Sequence, residues 1–213
     1  MRRLAIGIIV MVLAVAPAQA GHGRKYIQET VPAVGVASIS VDFPVGELHV
    51  VSAAGDEVGV DLKVTCDRWF RSCDSPIADV RLVSDLSAGK LRVEIKGFEH
   101  HHVGDLEVSG TITVPAGREL QVDMGVGELD IRGIASRLDV DLGVGEVTVR
   151  MPAAAVRSVA IDAGVGDTSL RLPSGSVDEE RSVVSSGIDW SEGTGEARVS
   201  IDVGVGDAAV TLD

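Results

Sequence analysis

An all-β chain is predicted, built as a β-solenoid or β-helix-like stack of two-strand rungs behind an antiparallel hairpin region. Three features of the sequence carry that expectation. One heptapeptide pattern is written five times: Val41-Asp42-Phe43-Pro44-Val45-Gly46-Glu47, Val122 to Glu128, Val140 to Glu146, Ile161 to Asp167 and Ile201 to Asp207. From Val31 onward nearly every segment alternates apolar and polar residues with period two, the pattern of a half-buried strand. Aromatic residues make up only 3% of the chain, which suits a thin interior of Val, Ile and Leu. The second glycine of the pattern falls at 127, 145, 166 and 206, in steps of 18, 21 and 40 residues. The unit is therefore about twenty residues long and must stack on copies of itself to bury an apolar face.

Residues 1–20 read as a cleaved signal peptide. Arg2 and Arg3 form a positive start, Leu4 to Ala16 an apolar run, and Ala18-Gln19-Ala20 a small-residue cleavage site. The apolar run is too short for a spanning helix and no second one follows, so no transmembrane segment is expected after cleavage. The chain is thus expected to be exported, to the periplasm or the cell surface of a bacterium. Loss of Arg2 and Arg3 would make the mature chain more acidic than its formal charge of −13. Such an acidic surface argues against nucleic acid or anionic lipid as partner, and suits divalent cations, cationic peptides or basic protein faces.

Residues 21–30 are expected to be a flexible leader, and 31–213 one β-repeat domain, with strands and hairpin over 31–117 and rungs over 118–213. Val58, Val60, Leu62, Val64 and Cys66 mark a strand. Val80 and Leu82 pair with Leu91, Val93 and Ile95 across a turn at Ser87–Lys90, an antiparallel hairpin. Leu106, Val108, Ile112 and Val114 make the next strand, where Gly110 suggests a bulge or bend. No segment shows helical period over a useful length.

Within each rung the alternation slips once. Val122, Met124 and Val126 are read as one face and Leu129 and Ile131 as its continuation, which places a corner at Gly127-Glu128. The next rung slips likewise after Val144. Pro44 occupies the first glycine position, so that position tolerates an ordinary negative φ. The second glycine (Gly46, Gly127, Gly145, Gly166, Gly206) is never replaced and is the candidate for positive φ or close backbone approach. Residues 173–196 break the pattern and would account for the 40-residue step as two rungs.

Stacking makes two carboxylate columns: Asp42, Asp123, Asp141, Asp162 and Asp202, and Glu47, Glu128, Glu146, Asp167 and Asp207. Either the aspartates accept backbone N–H bonds at the turns while the other column is solvated, or the columns recruit Ca²⁺ through oxygen ligands. Glu99, His100 and His102 form a histidine cluster that is either a polar loop or part of a Zn²⁺ or Cu²⁺ site. Cys66 and Cys73, the only cysteines, read as a local disulfide in an oxidising compartment. The loop between them carries Arg68, Trp69, Phe70 and Arg71. These are either a binding tip or a lid over one end of the stack.

No Ser/His/Asp or Cys/His set stands out. A polysaccharide-active β-helix enzyme is the alternative class, and the scattered basic residues and scarce aromatics count against it. The order of the parts resembles the DUF4097 family, also labelled “putative adhesin” or toastrack-like, over roughly residues 26–213. Those parts are a signal peptide, a strand carrying Val45-Gly46-Glu47-Leu48, a hairpin region and serial Val-Asp-x-Gly-Val-Gly-acid rungs. The resemblance implies a solenoid-like sheet stack and an envelope location, with no catalytic residues to carry over. Together these readings point to a non-catalytic structural or binding protein of the cell envelope, adhesin-like or related to envelope stress. Its partner would be an envelope protein, peptide or glycan.

Overall fold

Among the described residues, period-two alternation in Val-rich segments produces fourteen strands, which join in one mixed sheet that does not close on itself. The computed structural model describes residues 23–66, 74–98, 106–177, 180–181 and 185–213. In chain order the strands are β1 (Arg24–Pro32), β2 (Ser38–Ala53), β3 (Glu57–Cys66), β4 (Arg81–Ser87), β5 (Lys90–Lys96), β6 (Leu106–Pro115) and β7 (Glu119–Arg132). They continue as β8 (Leu138–Met151), β9 (Val156–Val165), β10 (Thr168–Leu172), β11 (Gly175–Val177), β12 (Glu180–Arg181), β13 (Ser186–Trp190) and β14 (Ala197–Leu212). A short helix, α1 (Asp74–Asp79), and one 3-10 turn (Ala153–Ala155) complete the described elements.

Four long strands, β2, β7, β8 and β14, lie parallel and in register at the centre. Each belongs to two arms. On the first arm β2 pairs with β5 through Ser38–Asp42, and on the second it pairs with β6 from Glu47 onward. At the other end β14 pairs with β9 on the first arm and with β10 on the second. Antiparallel strands finish every side: β4 on β5, β3 and β1 beyond β6, β13 on β9, and β11 on β10.

The chain's reach requires these long strands to bend. Straight, the fourteen residues of β7 would span about 43 Å. Yet β8 begins beside the start of β7 after a link of residues 133–137, which can cover only about 20 Å. The two expected strands of a rung are therefore one strand folded at the second glycine. The link forms a third side: Ile134 is buried, Leu120 N–H donates to the Arg137 carbonyl, and the Ser136 hydroxyl donates to the Arg118 carbonyl. Inward residues from both arms, including Phe43, Leu48, Leu129, Ile131, Val149 and Ile161, form one continuous core.

Rung order departs from chain order. The 40-residue step was expected to span two successive rungs, but β14 inserts between β8 and β9. Gly206 is thus paired with Gly145, and Val205 bridges Val144 and Val165. The step from β7 to β8 is 18 residues and that from β8 to β9 is 21. The longer link, through Pro152 and the 3-10 turn, lets the chain pass over one rung position. The C-terminus then fastens the insertion, with Asp213 N–H donating to Met151 and Ala153 N–H donating to Asp213.

Other expectations are corrected at single elements. The leader is strand from Arg24, because Ile27 and Val31 pair against Leu62 and Val58. Gly110 makes no bulge: it faces Leu48 and Leu62 without a register shift, and a Cβ there would strike the backbone of Asp61. The hairpin forms as expected, with Leu86 opposite Leu91 and both turn residues at positive φ, Ala88 at 49° and Gly89 at 79°. That is the twist of a type I′ turn. The helix α1 is too short to show a period.

Two outcomes test this architecture. Deleting residues 197–213 removes the neighbour shared by β8, β9 and β10, so the truncated chain should show no cooperative urea transition; a cooperative one would refute the strand order. Gly145 sits at φ 145°, and a Cβ there would overlap the Gly127 carbonyl. One at Gly143 would lie 2.5 Å from the Gly125 carbonyl with ordinary φ. Gly145→Ala should then cost about 3 kcal/mol or more in urea unfolding and Gly143→Ala less, about 1–3 kcal/mol. Equal, small losses would show the corner glycine to be dispensable.

Candidate functional site

The corner of the stack gathers every outward-facing repeat position. All five second glycines have positive φ, between 128° and 145°. Inward burial stops at Met124 and resumes at Leu129, so the four residues 125–128 make the turn. Val126 was read as an inward residue and is not one. It is 43% exposed, and its equivalents Val144, Val205 and Val165 are 46%, 47% and 49% exposed. Val126 lies two residues from Met124 and three from Leu129, so spacing alone allows the slip on either side of it. The backbone at Gly127 decides for the near side. Val45 pairs with Val126, and the five valines stack in register as one ridge.

Carboxylates flank the ridge on both sides. On the first arm Asp42, Asp123, Asp141, Asp202 and Asp162 are stacked in that order. They line a groove of about 730 Å³ together with Pro44, the first glycines Gly125, Gly143, Gly204 and Gly164, and Met124, Leu142 and Val203. Among the described residues none of these five accepts a backbone N–H at the turn, contrary to the Asx-turn reading. Asp123 accepts from Gln121 Nε2 at 3.3 Å, and Gln121 in turn accepts from Lys90 Nζ at 3.0 Å. Partial burial, and then the charges of Asp141 and Asp42, hold the Asp123 carboxyl above the usual range. Burial, Asp141 and Asp162 do the same to Asp202. Like charges repeated at the rung spacing of about 4.8 Å repel one another.

The other column runs along the second arm. Asp207 Oδ1 accepts the Asp167 N–H at 2.9 Å, so it is this column that supplies a turn acceptor. His49 Nε2 lies 3.2 Å from Glu47 Oε1, beside a recess of about 120 Å³ that Glu128, Asp130 and Glu146 also line. Arg132 donates to both oxygens of Asp130 at 2.7 and 2.8 Å, and this hydrogen bonding lowers the Asp130 pKa.

No His, Cys, Asp or Glu group among the described residues is placed to share a metal ion three ways. Cys66 ends β3, whereas Cys73, the loop residues Arg68–Arg71 and the cluster Glu99, His100 and His102 lie outside the described residues. No described helix is long and apolar enough to cross a membrane.

Comparison with known proteins agrees with the fold. A family model described as the N-terminal domain of toast_rack, DUF2154, matches residues 22–171. A solved structure named a “putative cell adhesion protein” from Clostridium sporogenes superposes with TM-score 0.55 at 17% identity, covering 89% of this chain and 100% of that one. A “putative adhesin” from Bacteroides fragilis aligns at TM-score 0.33 and 14% identity, over 87% of this chain and 97% of that one. No curated protein matches.

The aspartate column sets a pH dependence. A carboxyl whose pKa rises on folding binds its proton in the native state first, so its stabilising effect is present at low pH and lost as pH rises through the folded pKa. Asp123→Asn removes that repulsion and should raise urea stability at pH 7 while changing nothing near pH 2, below both pKa values. Arg132→Ala should act in the opposite sense, because the lowered Asp130 contributes above its unfolded pKa and loses that contribution on acidification. A destabilised Asp123→Asn protein at pH 7 would show that the column is not repulsive.

Proposed function

The chain belongs to the toast_rack N-terminal-domain family, DUF2154, and from that premise we propose that it is an exported, non-catalytic, adhesin-like binding protein of the bacterial cell envelope. The observation that carries this reading is the corner itself. Across five stacked rungs a valine ridge, four of its members 43–49% exposed, runs between two carboxylate columns. A surface of that kind is suited to holding a partner. The name of the Clostridium sporogenes neighbour is in keeping with such a role, and so is the signal-like segment at residues 1–20.

The finer parts of the reading belong with it. The bent long strands and short third side support a β-solenoid, and the repeat phrase supports kinship with DUF4097 domains. The pair Cys66 and Cys73 would staple the loop that carries Trp69 and Phe70, contributing about 2–3 kcal/mol through a short closed loop. A sensing role in envelope stress is compatible with the same surface.

Purified mature chain (residues 21–213), immobilised and washed with solubilised envelope material, should retain a component and release it chemically unchanged in high salt. Turnover of an acidic polysaccharide by the same preparation would overturn the non-catalytic reading. Thiol trapping under denaturing, non-reducing conditions should find neither cysteine free in exported material.

A further inference from the structure

Sheet edges are templates for further strands, and proteins guard them with short strands, proline or inward-pointing charge. This sheet guards its edges unequally. At β1, Pro32 lacks an N–H, Glu29 stands in the inward phase opposite Val60, and Lys25 Nζ reaches across to the Ala78 and Val80 carbonyls. At the far end β11 has three residues and β12 two. The edge at β4 has none of these features. Its seven residues, Arg81-Leu82-Val83-Ser84-Asp85-Leu86-Ser87, pair with β5 without a register break, and among the described residues no strand pairs with their other side. The inward row, Leu82, Ser84 and Leu86, carries no charge. Leu86 lies opposite the buried Leu91 yet is itself 57% exposed.

We propose that β4 is the pairing edge for a second copy of this chain, which joins two molecules as a reversible antiparallel homodimer. The proposal goes beyond the binding reading above and does not depend on it. Backbone polarity fits a second copy. The two-residue turn at Ala88-Gly89 makes Ser87 and Lys90 a hydrogen-bonded pair, and such pairs alternate with pairs whose groups point away. The N–H and C=O groups of Leu82, Ser84 and Leu86 therefore face away from β5. A two-fold axis through Ser84 matches each of them with the same groups of the copy. Side chains fit as well, because that axis sets Leu82 opposite the partner's Leu86 on the core face and covers the exposed leucine. On the outer face Arg81 stands across from Lys96, a like charge, and donates to the Asp79 carbonyl at 3.3 Å. In the pair it comes within diagonal reach of the partner's Asp85, and Asp85 within reach of the partner's Arg81. A foreign strand would need this same spacing of leucines and charges; a second copy has it by symmetry. The Val80 carbonyl that Lys25 occupies lies just before β4, outside the pairing. One strand pair buries less than the roughly 1,600 Å² of a standard interface, so the dimer should dissociate on dilution, with Kd on the order of 10–100 µM.

Sedimentation equilibrium on the mature chain (residues 21–213) tests the pairing, and the parent should show a monomer–dimer equilibrium. Ser84→Pro removes an N–H that the ladder with β5 does not use, so it should leave the fold intact and weaken dimerisation about tenfold or more. Arg81→Asp and Asp85→Arg each bring like charges together across the axis and should each weaken it about tenfold or more. Mixed in equal amounts, these two variants should recover dimer to within about threefold of the parent, because each supplies the charge that the other lacks. Both change exposed side chains, which keeps the test decisive if Ser84→Pro unfolds. A parent that stays monomeric up to about 1 mM would overturn the proposal. So would proline and charge variants that associate as the parent does, or charge variants that fail to recover on mixing.

Discussion

Everything in this molecule hangs on how closely its backbones approach at the corner. Gly46, Gly127, Gly145, Gly206 and Gly166 stack one on the next, and a Cβ on any of the last four would fall onto the carbonyl of its neighbour. The φ of each lies in a region nearly closed to other residues. That turn lets fourteen residues of strand double back, so that a link of five residues can return to the start of the next rung. Without it the long strands would run straight, the third side could not close, and both arms would expose one apolar face. The first glycine position is less demanding, and Pro44 shows why. Beyond β2 the sheet splits: β5 pairs only as far as Asp42 and β6 begins at Glu47. At that corner Pro44 has no further strand to meet, so neither its ring nor its missing N–H is penalised.

In-register parallel stacking then imposes a second consequence. Repeating one sequence on successive rungs places each side chain over its own kind. For Val122, Val140 and Ile161 this is favourable, because β-branched side chains nest against one another within the core. For the aspartates it is repulsive: partial burial, and then the charges of the neighbouring aspartates, raise the pKa values of Asp123 and Asp202. The aspartates therefore work against the fold at neutral pH, held there by the apolar burial on the opposite face of the same strands. Arg132 and Asp130 show the contrasting solution, a local opposite charge two residues along the strand. Among the described residues the opposite charges acting on the aspartate groove are those of Arg92 and Lys90 on Asp123, and they are the smallest of its influences.

Much of this was legible in the residues. Period two marked the strands, Ala88-Gly89 the hairpin, and the unreplaced glycine the corner, because each depends on local backbone chemistry. What failed to show was set by tertiary geometry. Two-step spacing from Met124 lets Val126 face inward as well as any other choice; only the fold of the backbone at Gly127 turns it out. The place of β14 between β8 and β9 was hidden because rungs of near-identical sequence can stack in any order. Local pattern cannot rank those orders. The single clue is the three extra residues between β8 and β9, around Pro152, and it is readable only once a rung's normal return is known. The strand at Arg24–Pro32 carries little sequence signal for a related reason: as an edge strand it is largely exposed, and its polar residues follow no clear alternation.

The interleaved order also bears on what the corner can do. A ridge made of successive rungs would be complete as soon as each coil closed. Here the line from Val144 to Val165 has a gap until Val205 arrives with the last strand, and the groove is interrupted until Asp202 stands between Asp141 and Asp162. The continuous surface thus exists only in the fully folded chain, fastened by the bonds between Asp213 and the Met151–Ala153 turn. Partly folded chains would present two shorter half-ridges, one from β2, β7 and β8 and the other from β9. A partner that grips the full length of the corner would therefore meet it only in the finished molecule.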